Sequence, residues 1–247
     1  MENVTEFTLI RHGQTADNVA GILQGHRNTP LDDMGRRQAQ SAAERLRGTH
    51  FDAIFSSDLR RAFETAEIIG KAVGVTPVPT RELREWYLGE LEGQYSKDLW
   101  EKYFDIMECF NVDSGDLPVP GGESHGAFER RIAKCLDDLA DQWIGKSIII
   151  VTHAGSMRAV FKHIVGAVAP GNMLPICSNV SYSSFFRYAD GRWRLRCWND
   201  ISHLEYCRDS VIPAMEALRS LADEAETITA TKYWPIPTYG ELLFGIR

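Results

Sequence analysis

Two short apolar runs in this chain each stop at a histidine. Phe7-Thr8-Leu9-Ile10 runs into Arg11-His12-Gly13, and Ile148-Ile149-Ile150-Val151 runs into Thr152-His153-Ala154-Gly155. The second run is unbroken and rich in β-branched residues, which fits a strand buried on both faces of a sheet. A third run, Phe51 to Phe55, ends in Ser56-Ser57-Asp58 and is followed from about Leu59 by a helical pattern with Arg60 and Arg61 in its first turn. In open α/β sheets the C-terminal ends of the strands form the ligand crevice, and the helices that follow point their N-termini into it. The spacing therefore predicts an α/β fold that brings His12, Arg61 and His153 to one edge of one sheet. Cations in a first helical turn oppose the helix dipole by roughly 0.3–1 kcal/mol each. Arg60 reads as a solvated surface residue all the same, while Arg61 reads as part of the site.

The remaining elements follow from periodicity and turn chemistry. Asn18 to Pro30 is rich in turn formers and reads as a loop over the crevice. Leu31 to Arg47 reads as a helix capped by Asp32 and ended by Gly48. A second helix spans Leu59 to Val73, and Gly74 to Pro79 reads as an edge strand because of its prolines. Gln94 to Phe110, with Tyr95, Trp100, Tyr103, Phe104 and Phe110, is expected to be one helix that covers the crevice or packs in a core. A Gly/Pro-rich loop over Asp113 to Glu123 precedes a helix from about Ser124 to Trp143, and another helix follows His153 to about Val165. Asn179 to Trp198 alternates as a β-hairpin that turns at Ala189-Asp190-Gly191, and Val211 to Ala225 has the pattern of an amphipathic helix. The tail from Lys232 carries Tyr233, Trp234, Tyr239, Leu242, Leu243 and Phe244, too apolar to be left in water. It is expected to dock on its own domain or on a second subunit, which makes a homodimer one expectation. No repeat or linker divides the 247 residues, so the expected organisation is one domain over 1–209 with 210–247 as its C-terminal extension.

Bulk properties remove several function classes. No apolar run approaches the ~20 residues that span a bilayer, and the N-terminus lacks the pattern of a signal peptide, so a cytoplasmic protein without membrane contact is expected. The five cysteines are scattered without a CxxC pair, which suggests neither a disulfide frame nor a zinc site. A formal charge of −7 argues against nucleic acid as a partner. It leaves room for a small anionic ligand, because local arginines set the field inside a cleft.

The three strand ends permit a specific chemistry. An imidazole can attack phosphorus, and guanidinium groups with a second histidine can hold the equatorial oxygens and stabilise the charge that develops on them. His12 is the candidate nucleophile, and Arg11, Arg61 and His153 are the candidate phosphate pocket. No metal or cofactor is needed. An acid for the departing oxygen is also required, but Glu82, Glu85, Glu90 and Glu92 all lie within eleven residues and composition does not choose among them.

Taken together, Arg11-His12-Gly13, the Ser56 to Ala62 segment with Glu64-Thr65-Ala66, Glu85 with Gly89 and Glu92-Gly93, Pro120-Gly121-Gly122-Glu123-Ser124, and Val151 to Gly155 resemble the histidine phosphatase superfamily in its phosphoglycerate mutase-like branch. The resemblance covers about Phe7 to Leu204 with its motifs in order. It implies a three-layer α/β/α sandwich with a mostly parallel central sheet, His12 as the phosphorylated nucleophile, and Glu85 as the proton donor. Asn18 is implied as a further phosphate or substrate contact. Where phosphoglycerate mutases of this branch carry an Arg-His pair after the acid, this chain has Trp86-Tyr87, and Asp17-Asn18-Val19-Ala20 departs from their pattern as well. Gly21-Ile22-Leu23-Gln24-Gly25, Pro30-Leu31, Trp198-Asn199-Asp200 and His203-Leu204 are closer to the broad-specificity and α-ribazole-type phosphatases, which adds Gln24 and Gly25 to the implied phosphate contacts. The expected activity is a metal-independent phosphomonoesterase acting through a phosphohistidine on a small phosphorylated metabolite. A cofactor-dependent mutase and a non-catalytic phospho-ligand binding module are the alternatives.

Overall fold

A computed structural model describes residues 4–112, 116–166, 173–204 and 218–219. By internal contacts the chain divides into two units, 1–203 and 204–247. The sequence-derived C-terminal helix and aromatic tail lie outside the described residues, apart from 218 and 219.

Unit 1–203 is built on strands β1 (Val4–Arg11), β2 (Ala53–Ser56), β3 (Pro77–Pro79), β4 (Ser147–Thr152), β5 (Tyr182–Tyr188) and β6 (Trp193–Asp200). They form one sheet in the order β3-β2-β4-β1-β5-β6. β1 to β4 run parallel, and β5 and β6 add an antiparallel hairpin beside β1. The proline strand β3 lies at an edge, where missing backbone donors cost least.

Side-chain alternation along the strands divides the core in two. Phe7, Leu9, Ile148 and Ile150 face one layer with α6 (His125–Gln142) and α7 (Ala154–Val165). Ile10, Ile54, Ile149 and Val151 face the other, against α2 (Asp33–Leu46) and α3 (Arg60–Val73). The result is the α/β/α sandwich expected, with all four residues of the Ile148–Val151 run fully buried. Period-2 strands present Phe7/Leu9 and Ile10 to opposite layers, whereas Ala62, Ala66 and Ile69 of α3 share one helical face.

Two sequence expectations are corrected. Gln94 to Phe110 is not one helix but two short ones, α4 (Ser96–Leu99) and α5 (Phe104–Glu108). The break is at Tyr103, whose φ of −128° and ψ of 41° leave the helical region. Leu99, Ile106 and Met107 are buried in the core while Phe104 stays 58% exposed, so the segment packs irregularly to satisfy the core. The expected Asn18–Pro30 loop begins inside a short helix, α1 (Ala16–Ala20), closed by a capping box between Thr15 and Asn18.

Candidate active site

Parallel pairing aligns the strand ends. Ile10 is in register with Val151, and Val151 with Ser56, so the residues that follow β1, β2 and β4 emerge side by side. His12 is tied to β4 by its amide, which donates to the Thr152 carbonyl at 2.9 Å. Arg11, His12 and His153 leave β1 and β4 directly, while Arg61 is reached through the first turn of α3. The rings of His12 and His153 lie 5.1 Å apart at 60°.

Each group is oriented by a specific bond. His12 Nδ1 lies 2.7 Å from the Gly13 carbonyl. A carbonyl only accepts, so Nδ1 carries the proton and Nε2 keeps its lone pair. Burial pushes the His12 pKa well below its ordinary value, and the nearby Arg61 and Arg11 lower it further. Both effects favour the neutral ring, with the proton on Nδ1 and Nε2 bare. Arg11 Nη1 donates to the Cys177 carbonyl at 2.7 Å. Arg61 is 1% exposed and donates through Nη1 to the Arg27 carbonyl at 2.7 Å and through Nη2 to the Gly25 carbonyl at 2.8 Å. Burial lowers its pKa to about 10, with the Glu85 carboxylate as the strongest opposing charge.

These bonds do not use every buried polar atom. Arg11 Nε, Arg61 Nε, His153 Nδ1 and Gln24 Oε1 are buried without a hydrogen-bond partner. Buried guanidinium N–H groups left bare are costly, and three donor-capable atoms on residues whose charges or rings neighbour His12 suit an anion with several oxygens.

Glu85 faces this group from the N-terminus of α7. Its carboxylate accepts the amides of Trp86 at 2.9 Å, Gly155 at 2.9 Å and Ser156 at 3.2 Å. A Cβ on Gly155 would overlap Glu85 Oε1, so a glycine is required there for the carboxylate to reach the helix end. The other three acidic candidates lie elsewhere: Glu82 and Glu90 are exposed, and Glu92 holds the His26 and Leu88 amides at 2.7 and 3.2 Å. Asn18 receives the Thr15 amide and lies within 3.4 Å of Asn179 Nδ2, which also donates to the His12 carbonyl at 3.0 Å. Gly25 contributes its carbonyl to Arg61, and its φ of +48° permits a close approach by Glu92 that a side chain would block. Arg60 is exposed, as its surface reading requires. Trp86 is a core residue, 2% exposed and 4.8 Å from the His125 ring, whereas Tyr87 is 39% exposed and lies against His26.

Sequence reasoning missed Arg131, Asn179 and His26. Arg131 donates to the carbonyls of Glu82, Arg84 and Glu85 at 2.7, 2.9 and 3.1 Å and pairs with Glu123. Its targets are backbone atoms, which leave no trace in residue types; the only signal is Glu123 of the Pro-Gly-Gly-Glu motif eight residues before it. His26 Nε2 donates to the Glu85 carbonyl at 2.8 Å. Among the described residues no cluster of histidine, cysteine and carboxylate side chains could hold a metal ion.

A sheet edge that brings together two histidines, a buried and a half-buried arginine and an opposed carboxylate defines a phosphoryl-transfer class of α/β protein. The profile of the histidine phosphatase superfamily (branch 1) matches residues 7–201. The chain belongs to that superfamily. It is 37% identical over 206 residues to a metal-independent phosphoserine phosphatase of Arabidopsis thaliana, a match covering 81% of this chain and 84% of the relative. It is 34% identical over 203 residues to phosphoglycerate mutase-like protein 4 of the same plant, covering 81% and 87%. Among solved structures, YhfR of Bacillus stearothermophilus superposes with a TM-score of 0.74 at 26% identity, over 81% of this chain and 100% of the other.

Proposed function

We propose that this chain is a phosphatase that hydrolyses a small phosphate monoester through a phosphohistidine at His12, with phosphoserine the first substrate to test. The observation that carries the reading is the setting of His12: Nδ1 is committed to the Gly13 carbonyl, burial and the two nearby arginines push the ring toward its neutral form, and Arg11 Nε, Arg61 Nε and His153 Nδ1 are buried without a partner.

In the first step Nε2 attacks phosphorus, the bond from phosphorus to the ester oxygen breaks, and Glu85 in its acid form gives that oxygen a proton. Arg11, Arg61 and His153 hold the non-bridging oxygens, where preorganised donors contribute most in a water-poor pocket. The Gly13 carbonyl stabilises the charge that Nδ1–H gains as Nε2 bonds to phosphorus. In the second step water attacks phosphorus, Glu85 as carboxylate takes its proton, and the bond from phosphorus to Nε2 breaks, returning neutral His12.

A mutase would pass the same phosphoryl group to a substrate hydroxyl instead of water, and the name of the second plant relative keeps that outcome in the test. The experiment is phosphate release from a panel containing phosphoserine and 3-phosphoglycerate, in chelator, with His12→Ala as control. Loss of release in the variant by about 10⁴-fold or more is expected. Interconversion of phosphoglycerates with no release of phosphate would replace hydrolysis by the mutase reading. A cytosolic homodimer belongs to the same proposal, and a monomer by light scattering would remove the dimer.

A further inference from the structure

Ser57 follows β2 directly, is fully buried, and has no role in the steps above. Its surroundings fix its geometry from three sides. The amide donates to the Val151 carbonyl at 3.0 Å, the carbonyl accepts the Ser56 hydroxyl at 2.9 Å, and the side-chain oxygen accepts the Leu59 amide at 3.3 Å. The remaining partner of that oxygen is His153 Nε2, at 2.8 Å.

We infer that Ser57 is a positioning residue that sets His153 in its Nδ1–H tautomer and so makes it a donor to the phosphoryl oxygens. A hydroxyl has one proton and two acceptor lone pairs. The Leu59 amide can only donate and takes up one lone pair, so among the described residues His153 Nε2 is the one acceptor for the hydroxyl proton. If the proton sat on Nε2 instead, two buried atoms would be left unmatched: the serine O–H with no acceptor and Nδ1 with a lone pair that no donor meets. With the serine donating, a single atom is left, Nδ1–H, the atom that is buried without a partner. Leaving one buried polar group unsatisfied costs less than leaving two. The pair of histidines then carries its protons on the same nitrogen for opposite purposes. His12 spends Nδ1–H on the Gly13 carbonyl and attacks with Nε2; His153 spends Nε2 on Ser57 and offers Nδ1–H to the anion.

The use of that proton rests on the phosphohistidine reading; the tautomer does not. Long-range proton–nitrogen correlation on the ligand-free, histidine-labelled enzyme, assigned with His153→Gln, reads the tautomer directly. The expected result is protonated Nδ1 and bare Nε2 in the wild type, with Nε2–H appearing in Ser57→Ala. With p-nitrophenyl phosphate as probe, Ser57→Ala is expected to lose about 10- to 100-fold in kcat, as an oxyanion donor is weakened and not removed, with KM little changed. Ser57→Thr, which keeps the hydroxyl, is expected to keep both the tautomer and most of kcat. An Nε2–H wild-type ring overturns the inference even if Ser57→Ala fails to fold, and so does a Ser57→Ala enzyme with unaltered tautomer and kcat. Phosphate release retained by His12→Ala would instead overturn the phosphohistidine reading and leave the tautomer result standing.

Discussion

His12, His153 and His26 are each held below the ordinary histidine pKa, in every case first by burial, and His203 is lowered to about 4 by burial with Arg45 beside it. An unfolded chain has its histidines at about 6.5. Above that value both states are neutral and the shifts contribute nothing. Below it the unfolded chain takes up protons that the fold refuses, so stability falls as pH drops through about 6.5 and goes on falling toward the lowered values. Thermal midpoints are therefore expected to be flat between about pH 8 and 7 and to decline steadily below about 6.5; a midpoint that rose on acidification would contradict the neutral-histidine site. Arg11, His12, Arg61 and His153 were legible in the sequence because strand ends in a parallel sheet are fixed by the apolar runs that precede them. Glu85 was not legible from composition. What separates it from Glu82, Glu90 and Glu92 is contact with α7 amides some seventy residues away, and only the family resemblance pointed to it.

At the level of elements, the site depends on pieces that brace one another through the backbone. Arg131 on α6 holds the carbonyls of residues 82, 84 and 85 and pairs with Glu123, whose carboxylate also accepts the Tyr87 amide at 3.0 Å. Arg131→Ala is expected to lower kcat by up to roughly 100-fold through misplacement of Glu85, and Arg131→Lys is not expected to restore it, since one ammonium cannot span the acceptors that a guanidinium fork reaches. Steady-state kinetics alongside a melting curve separates this from simple unfolding. The loop after His12 meets the start of α2 backbone to backbone: a Cβ on Gly35 would lie 2.7 Å from the Gln14 nitrogen. Gly35→Ala is expected to cost roughly 1–3 kcal/mol by overpacking, measurable by chemical denaturation, and to reduce activity with it. The strands and long helices were legible here because a single period runs through each. The 94–110 stretch was not. Leu99, Tyr103, Ile106, Met107 and Phe110 carry helical spacing, but Tyr103 leaves the helical region, and a hydrophobic pattern does not record a backbone break.

Over the whole of unit 1–203, cohesion is concentrated in the middle of the sheet. β4 is fully buried from Ile148 to Val151 and is paired on both sides, with β1 and β2. Its amides are expected to exchange with solvent most slowly, at the rate set by global unfolding, with those of β3 and residues 96–110 exchanging faster through local opening. Fast exchange in β4 would place the stable centre elsewhere. The α/β class and the shared edge of the sheet were legible because alternating strand and helix patterns leave few arrangements, while the three-layer sandwich came from the family resemblance. The position of β1 was not, since its neighbours β4 and β5 are far away in sequence.

That position bears on how the protein comes into being. Of the strands in this sheet β1 is made first, yet its two partners are residues 147–152 and 182–188. Throughout synthesis of the intervening chain, the Phe7–Ile10 run waits with both backbone edges open, a delay that long-range pairing imposes on any such topology. The proposed nucleophile is thus made before either strand that flanks it, and a nascent chain halted before Tyr188 would carry His12 without the full set of strands that place it.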